Sequence, residues 1–221
     1  MQGITTDSVL LAAFAAKKLD QKRRTVCDLF CGCGLLSLLL ARRCPNLSLT
    51  GIDIDPVCCQ MFLQNAGTND LSLRMTAQQA DASNAEMLRK FGTFDAVVAN
   101  PPYFSTAQGA VSPDAHRRRE RHGCSIAAFV QAAALLLKNG GTLFCVYPTS
   151  RLAELICTLH GHGLEPKHMQ LIAHTAQSEP TLALIEAAKG AAVGMRCDPT
   201  MILYETSGEM TADCAAAYHL P

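Results

Sequence analysis

Thr25-Val26-Cys27-Asp28-Leu29-Phe30 is a run of apolar and strand-forming residues that meets a turn, Cys31-Gly32-Cys33-Gly34, and residues 35–43 then continue as a helix. Strand, glycine turn and helix in that order form the opening unit of an α/β sheet, and Arg42 and Arg43 fall in the last helical turn, where the dipole favours cations. Working outward, the unit repeats. Strands are expected at 47–53, 71–76, 94–99 and 142–147, with helices at 56–66, 84–90, 125–138 and 150–160. Pro56 suits a first helical position, Gly140-Gly141 a helix end, and Asn100-Pro101-Pro102 stops the fourth strand. Two further strands are expected near 169–174 and 181–187. Upstream, Thr5-Thr6-Asp7 offers capping side chains for a helix ending near Leu19. The tail adds a strand at 201–204 and a terminal helical turn.

Alternating strands and helices imply right-handed crossovers and a mainly parallel, twisted, seven-stranded sheet with helices on both faces, a Rossmann-like α/β fold. No linker divides the chain. One domain is expected over residues 1–221, with 1–24 as an N-terminal helix and basic segment and 192–221 as a C-terminal appendage.

With 49% apolar and 17% charged residues the chain can bury a core. Nineteen Lys and Arg balance nineteen Asp and Glu, which at first argues against a nucleic-acid partner. The zero is nevertheless the sum of two basic windows, 17–24 and 117–121, and an acidic remainder that includes Asp28, Asp53 and Asp81. Eleven cysteines without a Cys-x-x-Cys pair speak against a disulfide scaffold or a zinc ribbon and for a reducing cytoplasm. Residues 9–16 are apolar, but Asp7 precedes them and Lys17-Lys18 follow, the reverse of a signal peptide. No apolar run reaches the roughly 18 residues that span a bilayer, so a cytoplasmic protein without a membrane partner is expected.

In such a sheet, ligands bind beyond the carboxyl ends of the strands. The turn after the first strand lacks the G-x-G-x-x-G spacing of dinucleotide sites, and Asp28 there opposes a phosphate but suits an ammonium group. Asp53, at the tip of the second strand in Gly51-Ile52-Asp53-Ile54-Asp55-Pro56, can accept hydrogen bonds from both hydroxyls of a ribose. Asp81, after Gln78-Gln79-Ala80, can accept from an adenine amino group. Together the three acids describe a pocket for a nucleoside that carries a positive amine and no phosphate, which is S-adenosylmethionine rather than NAD.

Asn100-Pro101-Pro102-Tyr103 carries the chemistry. A conjugated amine is a poor nucleophile because its lone pair is delocalised. The Asn100 side-chain carbonyl and the Pro101 backbone carbonyl, held rigid by the prolines, can each accept one amine N–H and stabilise positive charge growing on nitrogen. Tyr103, with Phe104 as a second aromatic, can stack on a base swung out of its helix. Arg117, Arg118 and Arg119 lie just beyond, in the longest loop, where phosphate contact is expected. Cys31, Cys33, Cys58 and Cys59 read as small hydrophobic residues, and His160-Gly161-His162 as a helix end; no metal is expected.

These motifs resemble the class I S-adenosylmethionine-dependent methyltransferases that act on amino or amide nitrogen. More narrowly, they resemble the bacterial tRNA adenine-N6 methyltransferases that modify valine tRNA beside the anticodon. The likeness covers nearly the whole chain, including Thr6-Asp7-Ser8-Val9-Leu10-Leu11-Ala12, Arg118-Arg119-Glu120 and Lys189-Gly190-Ala191. It implies a cofactor site of Thr6, Asp7, Asp28, Phe30, Gly32, Gly34, Asp53, Ile54, Asp81, Ala82 and Asn100. It also implies catalysis at Asn100, Pro101, Pro102 and Tyr103, and tRNA held by Tyr103, Phe104, Arg117, Arg118 and Arg119. Phe30 stands where many methyltransferases have glycine, and members usually carry a segment ahead of the Thr-Asp motif. The Asn-Pro-Pro-Tyr motif also occurs in DNA adenine methyltransferases and in enzymes that methylate a release-factor glutamine, so a protein acceptor remains an alternative. A non-catalytic RNA-binding protein of this fold is a second, and a dehydrogenase a distant third.

Overall fold

The computed structural model describes residues 6–19, 24–102 and 124–218. Strand β1 (Arg24–Leu29) lies in the middle of the sheet because its last four residues are all buried and both its edges are paired. It runs parallel to β2 (Leu47–Asp53) on one side and to β4 (Phe94–Ala99) on the other. Beyond them, β3 (Met75–Gln79) pairs with β2 and β5 (Leu137–Pro148) with β4, again parallel. Strand β7 (Pro180–Lys189) then inserts antiparallel between β5 and β6 (Leu164–Ala173). The order β3-β2-β1-β4-β5-β7-β6 reverses direction between β1 and β4, which places the switch point at the carboxyl ends of those two strands. The seven expected strands are present. Two strands of two residues each, β8 (Arg196–Cys197) and β9 (Met201–Ile202), lengthen the sheet along β6.

Side chains alternate between the faces. Val26, Leu49, Ala96 and Val98 meet α1 (Thr6–Leu19), α2 (Leu35–Arg43) and α3 (Pro56–Thr68) on one face. Cys27, Leu29, Val97 and Ala99 meet α4 (Ala85–Arg89), α5 (Ile126–Leu136) and α6 (Leu152–Gly161) on the other. The last helix, α7 (Ala212–Tyr218), returns to the first: Tyr218 Oη donates to Thr6 Oγ1 at 3.0 Å, and Arg43 donates to the carbonyl of Ala217.

Several boundaries differ from the sequence reading, the sixth strand among them, which begins at Leu164 instead of 169, and two of the differences show their cause. The third strand begins at Met75 instead of 71, because Leu71 is a buried turn residue that follows Asp70 at φ +58° while Leu73 is fully exposed. The fifth strand begins at Leu137, directly after α5, and the glycine pair lies inside it. Leu137 pairs with Phe94 and Thr142 with Ala96, so residues 138–141 form a bulge that Gly140, at φ +73°, can follow. Lys189 Nζ ends α5 in place of the glycines, donating to the carbonyls of Ala134 and Leu137 at 2.6 and 2.8 Å.

Candidate active site

The turn after β1 is built by close backbone approach. Phe30 and Cys31 both donate backbone N–H groups to the carbonyl of Ile52, which ties the turn to the end of β2. Three residues of the turn are left-handed: Phe30 at φ +65°, Gly32 at +52° and Gly34 at +87°. Phe30 is the strained member, since a side chain disfavours that region, and its ring rests on Phe129 with centroids 5.8 Å apart. Phe62, from α3, fills the space over the turn. A Cβ at Gly51 would come within 2.6 Å of its ring and 2.7 Å of Cys31 Sγ, and one at Gly34 within 2.7 Å of the same ring.

Asp53 stands at the tip of β2. One oxygen accepts from Gly32 N–H at 2.9 Å and the other from Asp55 N–H at 3.0 Å. An ionised carboxylate has about four acceptor sites. Two of them remain for a ligand, on a carboxylate whose direction is fixed by the backbone. Asp28 behaves differently. It is 1% exposed, and its Oδ2 accepts from the Ser37 hydroxyl at 2.7 Å. Burial pushes its carboxyl up to about 7, against the lowering effect of the Ser37 hydroxyl and N–H, while the charge on Asp53 raises it further.

Asp81 is exposed beyond β3, its Oδ1 accepting from the N–H and hydroxyl of Ser83, with Ala82 buried beside it. Ile54 is half-buried, and its carbonyl accepts from Gln79. Among the described residues, none of Asp28, Asp53 and Asp81 forms an ion pair with Lys or Arg. Asp53 and Asp81, acids without cations and with open acceptor sites beyond the strand tips, match a cationic nucleoside and oppose a phosphate, while Asp28, expected beside them, is buried under the turn.

At the end of β4, Asn100 leaves the sheet with Pro101 buried and Pro102 half-buried. Its Nδ2 donates to Ser8 Oγ, on the first turn of α1, at 3.2 Å. Thr6 and Asp7, half-buried, occupy the same turn. Ser8 is the residue that the sequence reading quoted but gave no role; only its neighbourhood to Thr-Asp marked it. Tyr103, Phe104, Arg117, Arg118 and Arg119 lie outside the described residues.

The four cysteines at this end divide. Cys31 and Cys59 are buried, Cys33 and Cys58 half-buried. The Cys31 thiol donates to the carbonyl of Gly32 and the Cys59 thiol to that of Gln78, and the two sulfurs lie close enough that Cys59, with burial, holds the Cys31 proton more tightly while Cys31 draws Cys59 down. No group of three or more metal-ligating side chains converges among the described residues, and none of the described helices is long and apolar enough to cross a membrane. The His160-Gly161-His162 run closes α6, which ends at Gly161, and His160 Nδ1 lies 2.7 Å from Glu165.

With this geometry in place, residues 5–157 match the methyltransferase small domain family, and the chain belongs to that family. It is a methyltransferase. Among curated relatives, a tRNA1(Val) (adenine(37)-N6)-methyltransferase of Porphyromonas gingivalis is 29% identical over 83% of this chain and 73% of its own length. One of the same name from a Flavobacteriaceae bacterium is 30% identical, over 76% of this chain and 75% of its own length. The fold is similar to the crystal structure of a predicted O-methyltransferase from Agrobacterium tumefaciens, with a TM-score of 0.78 at 20% identity over 96% of this chain and 94% of that one. An S-adenosylmethionine-dependent methyltransferase of Methanosarcina mazei aligns with a TM-score of 0.56 at 17% identity, over 78% of this chain and 95% of that one.

Proposed function

We propose that this methyltransferase transfers the methyl group of S-adenosylmethionine to the N6 amine of an adenine in tRNA, in the cytoplasm. The tRNA1(Val) (adenine(37)-N6)-methyltransferases among its relatives support the acceptor. One observation carries the chemistry: Asn100-Pro101-Pro102 leaves the end of β4 beside the acid-bearing ends of β1 and β2.

S-adenosylmethionine supplies an electrophilic methyl group on a sulfonium. Asp53 would accept from the ribose hydroxyls with the lone pairs its backbone partners leave open and Asp81 from the adenine amine, whereas Asp28, buried and bonded to Ser37, is closed to direct contact with the ammonium and supports the turn from beneath. Asn100 Oδ1 and the Pro101 carbonyl take the two N–H groups of the acceptor amine, which turns its lone pair towards the methyl group. Hydrogen bonds of this kind to a developing charge contribute about 1.5–3 kcal/mol each. The nitrogen lone pair would form the N–C bond as the sulfonium S–C bond breaks with its electrons on sulfur, leaving a neutral thioether, and the methylated nitrogen would then lose its proton to water, so no strong base is required before attack. Tyr103 and Phe104 stack on the base, and Arg117–Arg119 contact phosphates.

The test is methyl transfer to total tRNA from a strain lacking the protein, followed by nucleoside mass spectrometry. N6-methyladenosine appearing only with enzyme is the expected result. Methylglutamine in a release factor with unmodified tRNA, or tRNA binding with no transfer to any acceptor, overturns the reading.

A further inference from the structure

The side-chain amide of Asn100 is nearly symmetric in shape and opposite in chemistry at its two ends. Turned one way it offers a carbonyl acceptor to an incoming amine. Turned the other way it offers an NH2 group, which cannot accept and repels the amine protons. An Asn with no partner at one end populates both orientations, because the terminal amide torsion is broad and roughly two-fold. Here one end is held: Nδ2 donates to Ser8 Oγ at 3.2 Å.

Ser8 is 7% exposed, and its helix is fixed from three sides. Val9, Leu10 and Leu11 are buried, Phe14 meets Phe144 of β5 edge-on at 6.3 Å, and Tyr218 of α7 holds Thr6 at 3.0 Å. The hydroxyl is thus presented from a rigid element to a residue 92 positions away.

We infer that Ser8 is a positioning residue for methyl transfer: its hydroxyl oxygen, accepting from Nδ2, holds the Asn100 amide beside α1, and with the hydroxyl in the accepting role Oδ1 is the end left to meet the acceptor amine. This rests on the reading of Asn100 as the residue that receives the amine. Through this bond Ser8 acts on the reacting geometry by way of Asn100.

Ser8→Ala removes the hydroxyl, leaves a good helix former and opens no large void. Its kcat should fall about tenfold to a hundredfold, the scale of a misdirected reacting group. The KM for tRNA, the cofactor affinity by calorimetry and the melting temperature should stay near those of the native protein. Ser8→Thr restores the hydroxyl and most of kcat. As a check that does not depend on Thr fitting, Ser8→Ala added to Asn100→Ala should lower the residual single-turnover rate no further. An unchanged kcat in Ser8→Ala overturns the inference. So does a loss of cofactor affinity or melting temperature that accounts for the loss of rate, or an additive double variant. Full transfer by Asn100→Ala instead overturns the reading of Asn100 itself, whatever Ser8→Ala does.

Discussion

Asp53 and Glu186 sit in opposite halves of one sheet and spend their carboxylates on different partners. On the β1–β2 side, both oxygens of Asp53 are held by backbone N–H groups, which orient the charge without neutralising it. On the β5–β7–β6 side, Glu186 is 5% exposed and its Oε1 receives Lys18 Nζ at 2.8 Å, with His168 Nδ1 3.6 Å from Oε2. His168 in turn lies 2.8 Å from Asp198 and against the ring of Phe14. A carboxylate neutralised by a cation in the protein has little left to offer a ligand; one oriented by amides keeps its charge and half its acceptor sites. The same residue type therefore keeps acceptor sites open in one half and is closed by an ion pair in the other, and the partner decides which.

That division can be broken at four points. The largest effect is expected at Asn100, where replacement by Ala should lower transfer about a thousandfold, the loss seen when a donor or acceptor at developing charge is removed. Cofactor affinity, read by calorimetry, should barely move; a parallel collapse of binding would overturn the division of labour proposed between Asn100 and Asp53.

Asp28 is the intermediate case, an acid of the ligand half that is buried like one of the cohesive half. Its folded pKa of about 7 lies above the unfolded value of 3.8, so the folded state holds the proton more tightly. The associated stability is complete below about pH 4 and is lost as pH rises through 7. Between pH 5 and pH 8 the native protein should lose about 2–3 kcal/mol from this group, measured by urea unfolding, and Asp28→Asn should remove that part of the slope. Identical pH profiles would mean that Asp28 is ionised in the folded protein.

Asp53→Ala should weaken the cofactor about tenfold to a hundredfold, as expected for two hydrogen bonds to a charged group replaced in part by water, with transfer at saturating cofactor less affected. The smallest effect belongs to the other half. Glu186→Gln should cost about 1 kcal/mol of stability, a modest figure because Lys18 is half exposed and rehydrates. Cofactor affinity should be unchanged there, and a shift would show that the two halves communicate.

Strands bounded by hard stops were legible from the residues. Leu47–Asp53 and Phe94–Ala99 follow the expected spans to the residue, because Asp55-Pro56 and Asn100-Pro101 end them locally. The third strand was not, since Leu71 and Leu73 mimic strand alternation. One is buried in a turn and the other is exposed, which only tertiary packing decides. Gly140-Gly141 signals a backbone exception but not its kind, and a helix end and a strand bulge use the same residue for the same φ. In the site, the placing of Asp53 and of the Asn-Pro-Pro run at strand ends was legible from the residues. The burial of Asp28 was not, for it depends on Ser37 arriving from the next helix, nine residues on. Ser8 was equally hidden, because its partner is 92 residues away.

The ring of Phe62 over Gly34 and Gly51 has a consequence for the order in which substitutions can accumulate. Gly51 has no left-handed φ, so what excludes a side chain there is the bulk of Phe62 and Cys31. A smaller residue at 62 should admit Ala at 51, whereas Ala at 51 alone overpacks the turn by about 1–3 kcal/mol. Gly34 gains nothing from the same change, because its φ of +87° keeps a second bar in place. One path through sequence space thus opens at position 51 only after position 62 has changed, and at position 34 it stays shut.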